Sequence, residues 1–133
     1  MTLRCILVDD SYHFLAAARS LLERQGVTVV GTASTTGEAL RRVQEVQADV
    51  TLVDINLGDE SGLDLARKLY RISSATPVIL ISTHAEEDYA SLIAATPAIG
   101  FIPKAALSAR AVRDLLSGEP NPSTAPVSGP RGA

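Results

Sequence analysis

The sequence predicts an α/β domain of the (βα)5 type, a parallel five-stranded sheet doubly wound into a three-layer sandwich. Three observations predict it. Short runs rich in β-branched residues alternate five times with longer segments of helical spacing. The runs lack the in-out alternation of a half-solvated sheet, as parallel strands covered on both faces require. The length of 133 residues allows roughly 65–70% of the unfolded surface to be buried. A closed eight-stranded barrel needs roughly twice that length. Right-handed crossovers then place helices on both sides of the sheet.

The elements follow in order. The first strand is expected over Arg4–Val8, and Ser11 is placed to cap a helix carrying Phe14, Leu15, Ala18, Leu21 and Leu22, stopped by Gly26. A second strand covers Thr28–Thr32. In Ser34-Thr35-Thr36-Gly37-Glu38, a capping residue followed by an acid starts a helix with Ala39, Leu40, Val43 and Val46. The third strand is Val50–Val53, and Ser61 caps the helix of Leu63, Leu65, Ala66 and Leu69. The fourth strand, Val78–Ile81, leads to Glu86-Glu87-Asp88, which suits a helix N-terminus, and a helix of Tyr89, Leu92, Ile93 and Ala94 ending before Pro97. The fifth strand, Gly100–Ile102, precedes a helix of Leu107, Ala111, Val112, Leu115 and Leu116, with Ser108 near its start and Gly118 after it. Residues 118–133, with four of the seven prolines, have no apolar period and read as a disordered tail, leaving residues 1–117 as the folded domain.

Composition narrows the function. Twelve basic against fifteen acidic residues give a net charge of −3, no field for direct nucleic-acid binding. A single cysteine, Cys5, excludes an internal disulfide and a cysteine-based zinc cluster. It reads as a small buried hydrophobe in the first strand. No apolar run approaches a membrane span, and the N-terminus lacks the shape of a signal peptide, so a cytoplasmic protein without a membrane partner is expected. No glycine-rich phosphate loop follows the first strand, where the residues are Val8-Asp9-Asp10-Ser11-Tyr12.

In open parallel sheets the chemistry gathers at the carboxyl ends of the strands. Here the first strand ends in Asp9 and Asp10, the third in Asp54, the fourth in Ser82 and Thr83, and the fifth in Lys104. Each alone is an ordinary cap, but capping does not explain their joint placement at four strand ends. Two carboxylates about 4 Å apart repel by about 4 kcal/mol at an effective dielectric near 20. Three with one ammonium would raise their pKa values or recruit a cation. Hard oxygen ligands favour Mg²⁺, which shares itself with a phosphate. Asp54 can then act as a nucleophile toward phosphorus, with Lys104 neutralising phosphoryl oxygens and Ser82 donating a hydrogen bond to one of them.

The acidic pair Asp9-Asp10, Asp54, Ser82, the stretch Asp54-Ile55-Asn56-Leu57-Gly58-Asp59-Glu60-Ser61-Gly62-Leu63 and the run Gly100-Phe101-Ile102-Pro103-Lys104 together resemble a response-regulator receiver domain over residues 3 to about 117. The resemblance implies a flavodoxin-like sheet of order 2-1-3-4-5. It implies that Asp54 is the phosphoacceptor, charged by a histidine kinase or a phosphotransfer protein. Mg²⁺ (or Mn²⁺) would be held by Asp10 directly, by Asp9 mainly through water or geometry, by Asp54, and by the backbone carbonyl of Asn56. Lys104 and Ser82 would bind the phosphoryl group. Ser82 and Phe101 would form the switch, reshaping the face of the fourth helix, fifth strand and fifth helix for a downstream protein or a second copy. Asn56 and His84 would tune dephosphorylation. Gly58 and Ala105 stand where the family favours proline.

The expected function is a stand-alone signalling switch, not an enzyme on an external substrate. One alternative is a receiver cut from a larger, DNA-binding regulator. Another is an aspartyl-nucleophile phosphatase, but that chemistry wants a second Asp two residues after the nucleophile, and Asn56 stands there.

Overall fold

The computed structural model describes residues 2–84 and 88–118. Five parallel strands form one sheet: β1 (Leu3–Val8), β2 (Val27–Ala33), β3 (Val50–Asp54), β4 (Val78–Ser82) and β5 (Gly100–Pro103). Their order across the sheet is β2-β1-β3-β4-β5. The expected doubly wound order is therefore present. In register, Leu7 faces Leu52, Leu52 faces Ile79 and Ile79 faces Gly100, so the four inner and distal strands end nearly level. The first half of the β1–β2 ladder slips at Cys5/Ile6.

Two cores sit on opposite faces of the sheet, as the twofold period of strands dictates. Cys5, Leu7, Leu52, Ile79, Ile81 and Ile102 point to one side, against helices α1 (Tyr12–Arg24) and α5 (Ala109–Leu116). Ile6, Val8, Val53, Leu80 and Phe101 point to the other, where α2 (Thr36–Glu45), α3 (Gly62–Ile72) and α4 (Ala90–Ala94) pack. Cys5 is buried, and burial pushes its thiol up to about 12, consistent with a packing role.

Capping places the helix starts. Ser11, Thr35, Ser61 and Ser108 each accept a hydrogen bond from the backbone N–H three residues on. The cap of α2 is Thr35, while Glu38 reaches back to the backbone N–H and hydroxyl of Ser34, which hold its carboxyl below the usual range.

Three details depart from the sequence reading. Helix α4 spans five residues and has no side-chain cap, because its N-terminal residue Tyr89 offers no short polar side chain. Leu107 precedes α5, in the turn after a short 3-10 segment, Lys104–Ala106, yet its side chain is buried in the first core. A two-residue antiparallel ribbon, Asn56–Leu57 against Glu60–Ser61, follows β3. The tail expected over residues 118–133 lies outside the described residues from 119 onward, as do Glu86 and Glu87. Among the described residues no helix is long and apolar enough to cross a membrane.

Candidate functional site

The two acidic residues after β1 are placed differently. Asp9 is fully buried, and its Oδ1 accepts a hydrogen bond from the Ser11 N–H at 2.9 Å. Ser11 in turn caps α1 by accepting from the Phe14 N–H at 3.1 Å. Asp9 thus ties the end of the strand to the start of the helix. Asp10, one residue on, is exposed at the mouth of the site.

Asp54 closes β3 and is 5% exposed. Its Oδ1 accepts from the Asn56 N–H at 3.0 Å. The ribbon after it turns through Gly58, whose φ of +65° is closed to proline. That explains the departure at this position. The chain then returns so that the Gly62 N–H donates to the Ile55 carbonyl at 2.7 Å. A Cβ at Gly62 would lie 1.9 Å from the Asp54 carbonyl oxygen. Only glycine lets α3 begin this close to the end of β3.

Lys104 follows β5 and reaches back across the sheet edge. Its Nζ lies 3.0 Å from Asp54 Oδ2 and 2.6 Å from Asp9 Oδ2. The Asp54 contact is an aligned hydrogen bond. The Asp9 contact is close but not an aligned hydrogen bond, so that buried oxygen has an ionic neighbour and, among the described residues, no directed hydrogen-bond partner. The same Nζ sits 4.3 Å above the centroid of the Phe14 ring. Burial alone would lower the ammonium's pKa, but the carboxylates of Asp9 and Asp54 outweigh it and hold the value above the usual one. Burial pushes Asp54 up to about 6, with Asp9 adding repulsion, against the opposing pull of Lys104 and the Asn56 N–H.

Ser82, at the end of β4, is 1% exposed and its Oγ accepts from the His84 N–H at 3.0 Å. His84 is exposed, its ring edge-on to Tyr89 at 5.8 Å. Asn56 is also exposed, and its Nδ2 reaches the Tyr89 hydroxyl at 3.4 Å. Phe101 is 1% exposed and belongs to the second core with Ile93 and Leu80, so it stands apart from the carboxylates. Every residue singled out at the strand ends therefore lies on one edge, with Phe101 behind it.

Asp9, Asp10 and Asp54 each offer a carboxylate oxygen, all within 4.8 Å of one another. All three donors are hard oxygens, and among the described residues Asp9 Oδ2 lacks a directed hydrogen-bond partner, so the set fits a small divalent cation such as Mg²⁺. Two neighbours carried no signal for this site in the sequence, Phe14 and Tyr89, while Gly62 belongs to the stretch from Asp54 to Leu63 that carries the resemblance. Phe14 and Tyr89 both read as helix-face apolar residues.

A pH dependence follows from Asp54. Its native pKa lies above the unfolded value, so the native state holds this proton more tightly. The resulting stability is fully present below about pH 4 and is lost as pH rises through about 6. Asp54→Asn, which keeps the shape without the charge, is expected to melt higher than wild type above pH 6 in metal-free buffer. The two melting curves should converge near pH 4. Equal melting temperatures at pH 7.5 would contradict the burial argument.

Compared with known proteins, residues 5–115 match the response regulator receiver domain. The chain belongs to the response-regulator receiver family. Response regulator UvrY of Escherichia coli (strain K12) is 30% identical to this receiver over 118 residues, covering 86% of the chain and 54% of UvrY. A protein-glutamate methylesterase/protein-glutamine glutaminase of Halobacterium salinarum is 34% identical over 83 residues, covering 62% of the chain and 24% of that protein. The receiver thus spans about half or less of these curated relatives. Among solved structures, a two-component response regulator of the LuxR family from Aurantimonas sp. SI85-9A1 superposes with a TM-score of 0.80 at 27% identity, over 90% of this chain and 88% of that one. A CheY-like response regulator receiver domain protein from Methanospirillum hungatei JF-1 gives 0.71 at 26%, over 89% and 90%.

Proposed function

We propose that this receiver is a phosphorylation switch in which Asp54 accepts a phosphoryl group from a histidine kinase or phosphotransfer protein. The observation that carries the reading is the Lys104 ammonium held between Asp9 and Asp54 with the Asp10 carboxylate at the mouth. An Asp54 oxygen forms the new O–P bond as the donor's P–N or P–O bond breaks, and the leaving group keeps that electron pair. Asp10, Asp9, Asp54 and the Asn56 carbonyl would hold Mg²⁺, which when bound neutralises charge on the phosphoryl oxygens. Lys104 transfers its contact from Asp54 Oδ2 to a phosphoryl oxygen, staying within the site. Ser82 leaves the His84 N–H and donates its O–H to another.

That movement links the site to a surface. Ser82 ends the strand beside β5, and Phe101 packs with Ile93 of α4, so a turn of Ser82 repacks Phe101 and shifts the face of α4, β5 and α5. A downstream protein or a second copy would read that face. Asn56 and His84, both at the mouth and both against Tyr89, would govern water's approach to the acyl phosphate. Residues 1–117 act as the switch and 118–133 as a tail, in the cytoplasm where kinases deliver the phosphoryl group. The greater length of the relatives supports a second reading, in which these residues are the receiver portion of a larger regulator, with DNA binding its proposed output.

Incubation with acetyl phosphate and Mg²⁺ tests the reading by intact mass. One phosphoryl adduct is expected, dependent on Mg²⁺ and lost in Asp54→Asn. No adduct on wild type, or an equal adduct on the variant, would contradict it.

A further inference from the structure

We propose that Phe14 is a positioning residue for Lys104, its ring face steering the ammonium from Asp54 onto the incoming phosphoryl group. The inference rests on the phosphoacceptor reading of Asp54 for its kinetic consequence, though not for the contact itself.

An ammonium has three N–H groups. One of them donates to Asp54 Oδ2 at 3.0 Å, and Asp9 Oδ2 is a close ionic neighbour at 2.6 Å. The remaining side of Nζ is covered by the Phe14 ring, 4.3 Å from its centroid, within the range where the negative face of an aromatic ring attracts a cation. The Lys104 side chain is only 13% exposed, so the attraction acts in a partly desolvated site, where it is stronger than at a surface.

The ring is held in place by the same carboxylate that holds the lysine. Asp9 Oδ1 fixes the Ser11 N–H, Ser11 Oγ fixes the Phe14 N–H, and Phe14 packs half-buried against the first core. Asp9, Ser11, Phe14 and Lys104 therefore close a circuit, with Asp9 Oδ2 returning to Nζ. When Asp54 is phosphorylated to the acyl phosphate, one of the two ion contacts changes. A third carboxylate in place of the ring would hold the ammonium too firmly to follow. A ring face attracts a cation across a broad area with no directed bond, so Lys104 can shift toward the phosphoryl oxygens without losing its support. A leucine of similar bulk would fill the space and supply no such attraction.

Two measurements test this. Ring fluorination strips the negative face of phenylalanine while keeping its size. Mono-, tri- and pentafluorophenylalanine at position 14 are expected to slow phosphorylation of Asp54 by acetyl phosphate and Mg²⁺ progressively. The pentafluoro ring and Phe14→Leu should reach about threefold to tenfold slower than wild type, the fold-change matching a cation–π contact of ordinary strength. Phe14→Tyr should keep close to the wild-type rate, and Mg²⁺ affinity should not follow the fluorine series. Rates independent of fluorine number would overturn the proposal. In the unmodified protein, the Lys104 ε-methylene protons should show a ring-current upfield shift by NMR that disappears in Phe14→Leu. Absence of that shift in wild type refutes the ring contact whatever the phosphorylation result. A wild type that shows the shift and takes no phosphoryl group instead refutes the role assigned to Asp54, and with it the kinetic part of this proposal.

Discussion

Gly62→Ala is expected to destabilise the domain by about 3 kcal/mol, the upper part of the range for overpacking a close contact, and to slow phosphorylation of Asp54 sharply. Helix propensity alone argues the opposite sign, since alanine in an open helix interior is favoured over glycine by about 1 kcal/mol. The neighbours decide. The added methyl would lie 1.9 Å from the Asp54 carbonyl oxygen and 2.9 Å from the Ile55 Cα, both main-chain atoms that cannot rotate away. Either α3 retreats from β3 or the backbone carrying Asp54 moves, and each disturbs the site. Gly37→Ala in α2 is the control, because its methyl would meet only the Arg41 side chain, at 4.0 Å. It should be neutral or stabilising by up to about 1 kcal/mol. Urea denaturation of the two variants reads the contrast, and equal effects would contradict the close-approach argument.

Lys104→Met is expected to have the second large effect. Removing one partner from a buried ion pair leaves uncompensated charge, at a typical cost of about 3–5 kcal/mol. Here the loss strands Asp9 Oδ2, which has no directed partner, beside an Asp54 carboxyl already raised to about 6. Without the ammonium's pull, that carboxyl rises further. Its charged form then opposes folding over a wider range, so the stability lost on raising pH grows. The variant's deficit should therefore be greatest at neutral pH in metal-free buffer, shrink as pH falls through 6, and shrink on adding Mg²⁺. A deficit independent of pH would point to lost packing of the lysine stem and contradict the electrostatic account.

The strands and the strand-end site were legible because their signals are local. An apolar run that stops at an Asp, a Ser or a Lys places that residue at a sheet edge, and parallel topology brings the edges together. What sequence could not carry were contacts between distant elements and elements too short to have a period. The ribbon at Asn56–Leu57 and Glu60–Ser61 has two residues a side, so no alternation marks it. Helix α4 has five residues and no polar cap; it holds Leu92, Ile93 and Ala94 as the spacing predicts, while Tyr89 stands at its N-cap. Leu107 looked helical because it shares a face with Ala111, but Ser108 starts the helix after it. Phe14 fitted the apolar stripe of α1, and its second role appears only once β5 brings Lys104 over its ring. The inward turn of Asp9 against the outward Asp10 was likewise invisible in an Asp-Asp pair, because it depends on the Ser11 N–H that takes Asp9 Oδ1.

Borohydride trapping tests the central claim most directly. An aspartyl phosphate is an acyl phosphate, which borohydride reduces to homoserine at the modified residue, while a free carboxylate is untouched. After treatment with acetyl phosphate and Mg²⁺, peptide mass spectrometry should find homoserine at position 54 and at no other aspartate, including Asp9 and Asp10. Homoserine at another position, or none under conditions where the protein is folded and binds Mg²⁺, would contradict the assignment of Asp54 as the phosphoacceptor.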